Sequence, residues 1–193
     1  MNTLVIYAHP NTGGHCFSIL QEVKNNLDQQ KKPYEVLDLY AMHYDPVLHE
    51  EEHYVSGNRT VSQTNQDIQK KIEQTDKIIF IFPVWWGSMP AILKGFIDRV
   101  FTSRWAYHYE GAIPLGHLKG KKALVYMTTG SAWWQYYALV WARPSMTFRI
   151  EFLWFCGIMK TKFMRFHKCR AFTEKRNTEI KRRVPKGLRW LYK

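Results

Sequence analysis

Cysteine is scarce in this chain: Cys16, Cys156 and Cys169 are its only three among 193 residues, with no CxxC pair and no zinc-type histidine pattern beside them. That argues against a disulfide framework and against a metal site, and it fits a reducing compartment. No apolar run approaches the roughly 18 residues that a bilayer span needs. The opening Met1-Asn2-Thr3 lacks the charged start of a secretory leader and runs straight into a strand-like Leu4-Val5-Ile6-Tyr7, so the expected location is cytoplasmic. The glycine signatures GxGxxG and GxxxxGK[ST] are missing from the loop after that strand, which removes the defining residues of the usual dinucleotide and P-loop sites. Internal repeats and low-complexity tracts are missing too, so one domain over 1–193 is expected.

What is present in excess is aromatic surface and positive charge. Hydrophobic residues make up 46% and aromatic residues 16%, with eight Trp; a core seldom needs so many rings, so some should face a ligand or a partner subunit. The formal charge of +12 is concentrated at one end: about 160–193 holds 13 Lys and Arg against Glu174 and Glu179. This basic C-terminal segment favours an anionic partner, either a protein or an anionic surface, or is simply a solvated face.

Along the chain, apolar strand patterns alternate with helical spacing. Thr3–Ala8, Glu35–Tyr40, Lys77–Phe82, Lys122–Met127 and Thr161–His167 read as strands. Helices are expected around Phe17–Leu27, at Ile68 and Ile72, over Ala91–Phe101 with Pro90 in the first turn, through Ser145–Phe155 and from Thr173. Ala41–Thr64 has no period and reads as a long excursion; its His43, His49, His53 and Glu50–Glu52 are expected to be solvated rather than metal-binding. The alternation predicts an α/β fold, a five-stranded parallel sheet with helices on both faces. Ligands of such folds bind at the carboxyl ends of the strands.

Three loops fall at those ends. His9–Phe17 meets a helix start, where free amides favour an anion, or is an ordinary β-α turn. Pro83–Pro90 carries Trp85 and Trp86, whose rings suit a flat ligand, or belong to the core or a dimer interface. Thr128–Tyr136 offers hydroxyls and a glycine, a weak signal alone.

Tyr7-Ala8-His9-Pro10, Cys16-Phe17-Ser18, the long block Phe82–Phe101 and Thr128-Thr129-Gly130 resemble, in order and spacing, the flavodoxin-like NAD(P)H:quinone oxidoreductase family. The resemblance implies FAD (alternatively FMN), NAD(P)H as co-substrate, two-electron ping-pong transfer to a quinone or similar small acceptor, and a homodimer with its active site at the interface. It places the flavin phosphates near His9, Cys16, Phe17 and Ser18. Pro83, Val84, Trp85 and Trp86 would lie against the ring and ribityl chain, with Thr128, Thr129, Gly130 and Ser131 at the ring edge. Tyr136 is implied as the catalytic donor on the flavin's oxygen side, and Tyr107 and Tyr109 as rings closing the pocket from the other subunit. The chain departs from the pattern in a first loop about two residues longer, in Cys16 for Ser, in Ser131 for a second glycine, in the bulky Trp133-Trp134, and in Ala142 where the best-known animal members have His.

Two other functions compete. A flavin-binding regulatory or electron-transfer subunit would share the cofactor but turn over little quinone. A basic nucleic-acid-binding protein would use Lys181-Arg182-Arg183 and Arg189-Trp190, yet no nucleic-acid motif accompanies them and specific nucleic-acid binding is not expected.

Overall fold

A computed structural model describes residues 2–55, 57–139 and 141–193. The first strand, β1 (Asn2–Tyr7), leads into helix α1 (His15–Gln29) and strand β2 (Tyr34–Asp38). After the excursion come α2 (Gln63–Glu73), β3 (Thr75–Pro83) and α3 (Ala91–Val100). A short antiparallel hairpin, β4 (Tyr107–Glu110) and β5 (Ile113–Gly116), precedes β6 (Lys122–Thr128). The chain continues through α4 (Trp133–Ala138) and α5 (Arg143–Thr147), which widens into a π-helical stretch, Phe148–Trp154. Strand β7 (Lys160–Phe166) and helix α6 (Glu174–Leu191) follow.

The five strands form one parallel sheet in the order β2-β1-β3-β6-β7, as the alternation predicts. The side-chain period of two splits the apolar run of β3 between the faces. Ile78, Phe80 and Phe82 enter one core with Leu93 and Phe96 of α3 and with Phe148 and Phe152. Ile79 and Ile81 enter the other with Ile19 and Val23 of α1 and with Ile180, Val184 and Leu188 of α6. Phe80, Phe148 and Phe152 pack edge to face at centroid distances of 5.1 to 5.8 Å. The π-helical turn thereby brings two rings of one helix against one strand residue.

Several expectations need correcting. Pro90 caps α3 from outside instead of standing in its first turn. The β4–β5 hairpin escaped prediction because its strands are four residues each and none of those residues is buried. The loop read as Thr128–Tyr136 runs into α4, too short to show a helical period.

The excursion is also more than solvated loop. Glu52 is largely buried and forms a forked pair with Arg99 of α3, at 2.7 Å to Nε and 2.9 Å to Nη2. Arg99 also donates to the Asp45 carboxylate at 2.9 Å. One turn earlier, Gly95 lets the backbone of Pro46 rest on α3, where any Cβ would come within 2.0 Å of the Pro46 carbonyl oxygen. Glu and Arg 47 residues apart thus clamp the segment, a pairing that local sequence spacing does not display.

Removing one partner of a buried ion pair leaves the other charge unpaired and costs about 3 kcal/mol. Arg99→Ala and Glu52→Gln are therefore each expected to lower the urea midpoint by about that equivalent, and Gly95→Ala to do the same by displacing Pro46. A midpoint within error of wild type would show that the clamp contributes nothing.

Candidate active site

Strand order reverses between β1 and β3, and the loops leaving the carboxyl ends part there to open a cleft of about 500 Å³. Its first wall is the loop from His9 to Cys16. His9 Nδ1 accepts from the Asn11 amide at 3.0 Å, and the Asn11 side chain accepts from the Gly13 amide, coiling the loop onto itself. Gly14 then begins α1 as an N-cap with no side chain to offer, so the amides of its first turn lack a side-chain partner. Such a helix start attracts anions.

Cys16 lies on the cleft floor with its Sγ 3.1 Å from Thr128 Oγ1. Burial pushes the thiol up to about 12, so it serves as a neutral packing group and not as a thiolate nucleophile. Phe17 and Ser18 point elsewhere. Phe17 packs against the core between α1 and α6, and both the amide and the hydroxyl of Ser18 donate to the Gly14 carbonyl.

The second wall follows β3. The Val84 amide donates to the Thr128 carbonyl at 2.7 Å, which aligns this loop with the one after β6. Trp85 and Ser88 then exchange two backbone hydrogen bonds of 2.9 Å around Trp86 and Gly87, both in the left-handed region at φ 50° and 72°. This is a two-residue turn that favours Asn-Gly and normally excludes a large aromatic residue at its first central position. Trp86 is fully exposed, at 104% of its reference surface, so no packing on this chain compensates the strain. The Trp85 ring sits 5.9 Å from that of His9 and shares the rim.

Thr128, Thr129 and Gly130 form the third wall. The Arg170 side chain crosses Gly130, where a Cβ would come 2.8 Å from Arg170 Cγ and push that side chain aside. Ser131 stands just outside the lining and bonds Thr129 Oγ1 through its hydroxyl at 2.8 Å. Tyr136 also lies outside the lining; its ring is buried edge-on to His167 at 5.4 Å, and its hydroxyl has no hydrogen-bond partner among the described residues. Tyr107 and Tyr109 stand on the hairpin strand β4 against Phe155, away from this cleft. Tyr107 borders a second cleft of about 490 Å³ with Glu52, Phe101 and Trp105, around the far end of α3.

The fourth wall is the segment between β7 and α6, which went unselected from the sequence. It contributes Cys169, Arg170 and Phe172. The rule that located the other loops, ligands at the carboxyl ends of strands, applies equally to β7 and could have found it. The segment also encloses His15, a residue 4% exposed whose ring stacks on Phe172 at 4.9 Å. Asn11 and His15 carried no motif. Among the described residues no carboxylate lines this cleft and none pairs with Arg170. The arrangement therefore suits a flat ring at the aromatic rim with an anionic tail directed to the helix start.

The profile of the family described by its flavodoxin-like fold matches residues 1–186. Over 135 residues the chain is 36% identical to an uncharacterized NAD(P)H oxidoreductase of Haemophilus influenzae, covering 68% of this chain and 65% of that protein. It is 33% identical over 144 residues to the human ribosyldihydronicotinamide dehydrogenase [quinone], covering 66% of this chain and 62% of the relative. The match thus spans a little under two thirds of these relatives' length. The crystal structure of Smu.1420 from Streptococcus mutans superposes with a TM-score of 0.86 at 30% identity, with both chains covered in full.

Trp86→Asn is expected to raise the stability of the unliganded protein by about 1 kcal/mol, since it restores the residue that this turn prefers and removes no packing. Denaturant titration measures this, and a destabilised variant would show that the ring has a partner on its own chain.

Proposed function

The chain belongs to the flavodoxin-like NAD(P)H:quinone oxidoreductase family, and from that premise we propose that it binds a flavin in the four-walled cleft and passes electrons from NAD(P)H to a quinone-like acceptor. The observation that carries this reading is Trp86, an exposed indole held in a strained backbone conformation at the rim of a cleft whose floor is an uncapped helix start. Strain of this kind persists where it serves a function, and a ring at the rim with amides below matches the two ends of a flavin nucleotide.

A bound flavin supplies hydride acceptance and delivery. The protein's part is to hold and shield it. His9, Cys16 and the first-turn amides of α1 would take the phosphate end, with Arg170 adding charge. Phe17 contributes its amide alone in this arrangement, and Ser18, committed to Gly14, supports the turn. Pro83, Val84, Trp85 and Trp86 would line the ring side, and Thr128, Thr129 and Gly130, backed by Ser131, would offer hydroxyls and amides to ring and ribityl oxygens. FAD is the cofactor that the family resemblance favours, with FMN the alternative.

Tyr107 and Tyr109 do not border their own chain's cleft, and Tyr109 is 56% exposed. We place them over the cleft of a second copy, in a homodimer. Tyr136 does not border the cleft in this arrangement; we keep it as the proposed donor because its buried hydroxyl has no partner among the described residues, a cost that a bound ligand reaching it would relieve.

The nucleic-acid reading loses support from α6. The Arg183 guanidinium bonds Glu179 at 2.6 Å and covers the Phe166 ring at 4.7 Å, while Trp190 packs into the core between α1 and α6. Two members of the proposed phosphate-binding cluster are thus committed inside the fold. Lys181, Arg182 and Arg189 remain exposed and leave a basic surface suited to an acidic protein partner.

The purified protein is expected to be yellow, to release a flavin identifiable by mass, and to reduce menadione from NADH or NADPH with parallel double-reciprocal lines. Colour without turnover would favour the regulatory or electron-transfer alternative, and a colourless protein that binds no added flavin would end the proposal. Tyr136→Phe is expected to slow flavin reduction by about tenfold while leaving stability equal or higher, because it deletes an unsatisfied hydroxyl. Unchanged reduction kinetics would remove Tyr136 from the mechanism.

A further inference from the structure

We propose that His15 makes phosphate binding in this cleft proton-coupled: an anion that enters at the start of α1 is bound together with one proton, which rests on His15 Nδ1. The inference depends on the flavin reading for the identity of the anion, and its chemistry follows from the ring's two nitrogens. Nε2 lies 3.1 Å from the Ala171 carbonyl oxygen. A carbonyl only accepts, so Nε2 carries a hydrogen, and in the neutral ring Nδ1 is a bare lone pair. That Nδ1 is enclosed and has no partner among the described residues. A phosphate oxygen is also an acceptor and cannot bond a lone pair; it can bond Nδ1 only when a proton lies between them.

The surroundings keep that proton away until an anion arrives. Burial, and secondarily the charge of Arg176 at the start of α6, hold the imidazole below its ordinary range despite the Ala171 hydrogen bond. Arg170 and His9 border the same cleft. The thiols of Cys16 and Cys169 are pushed up to about 12 and about 11 by burial and stay neutral. The first turn of α1 has no acidic residue, and no carboxylate among the described residues lines the cleft. Phe172, stacked on the imidazole at an interplanar angle of 20°, closes its open face. The Ala171 carbonyl already bonds Nε2, so among the described residues no further group in the cleft is placed to stabilise the imidazolium, and an incoming anion would do so at Nδ1.

The sign follows from linkage. The pKa is depressed in the free protein and raised in the complex, so between those values association takes up a proton and affinity falls as pH rises, by about tenfold per unit for one proton. A phosphate monoester has its second ionisation near pH 6, so above pH 6.5 this slope belongs to the protein.

The test is calorimetric titration of flavin-stripped protein with FMN at pH 7.5, in two buffers of different ionisation enthalpy, with riboflavin as the ligand lacking phosphate. Wild type should take up close to one proton with FMN and none with riboflavin. His15→Asn, which offers a neutral N–H at the δ position, should bind FMN with an affinity that is flat from pH 6.5 to 8, whereas His15→Phe, which keeps the stacking on Phe172 but donates nothing, should bind it at least tenfold more weakly. No proton uptake by wild type, or the same pH slope in His15→Asn, would overturn the proposal while leaving the flavin reading intact. Failure to bind any flavin would sink that reading instead; a titration of His15 by nitrogen-15 NMR with and without inorganic phosphate then decides the inference by itself, with a raised pKa expected and an unmoved one overturning it.

Discussion

Four backbone hydrogen bonds beyond the strand ends set the positions of everything else in the cleft. They run from the Leu39 amide to Tyr7, from Ala8 to Ile81, from Val84 to Thr128 and from Thr129 to Phe166, at 2.7 to 3.0 Å. Each extends the ladder at the point where a loop departs, so the loops begin in register with one another instead of fraying separately. The apolar runs of β1, β3 and β6 provide the force that makes this register unique, since a slip of one residue would exchange the two cores. With the register fixed, Cys16 meets Thr128 and Gly130 meets Arg170, although these pairs lie far apart in sequence.

What the sequence made legible follows the same division. The five strands, the long helices and the loops after β1, β3 and β6 were visible because buried parallel strands read as apolar runs and their connections as turn formers. The walls those loops supply contain His9, Cys16, Pro83 to Trp86 and Thr128 to Gly130. Side-chain direction was not visible. Phe17 and Ser18 follow Cys16 directly, yet helical geometry turns them from the cleft, one into the core and the other back onto Gly14. The contributions of His15, Arg170 and Phe172 depend on α6 returning over α1, a contact between the ends of the chain that no local pattern encodes.

The same reasoning explains why the charge of the C-terminal segment misleads when read as a sum. Arg165 is held by Ser145 and lies over the Tyr136 and Tyr137 rings, Arg176 and Arg183 share Glu179, and Lys162 faces the Trp190 ring at 5.8 Å. These cations cover aromatic and apolar surface with their stems and planes, as long basic side chains commonly do. The free positive charge is correspondingly more local than the composition suggests. Part of it, at Arg170, faces the cleft.

The cleft is notable for the catalytic groups it does not arm. Its thiols are neutral, it has no carboxylate among the described residues, and His15 is held uncharged while the cleft is empty. The imidazoles of His9 and His15 are the acid-base groups that do line it. An enzyme whose cofactor performs the electron chemistry needs none, only a surface that holds a ring, anchors an anion and admits the second substrate. Trp86, one of several non-glycine residues held at positive φ, borders this cleft, and so does His15, whose enclosed Nδ1 has no partner among the described residues. Both carry a cost in the unliganded protein, and a flavin nucleotide is the kind of ligand whose two ends would relieve both.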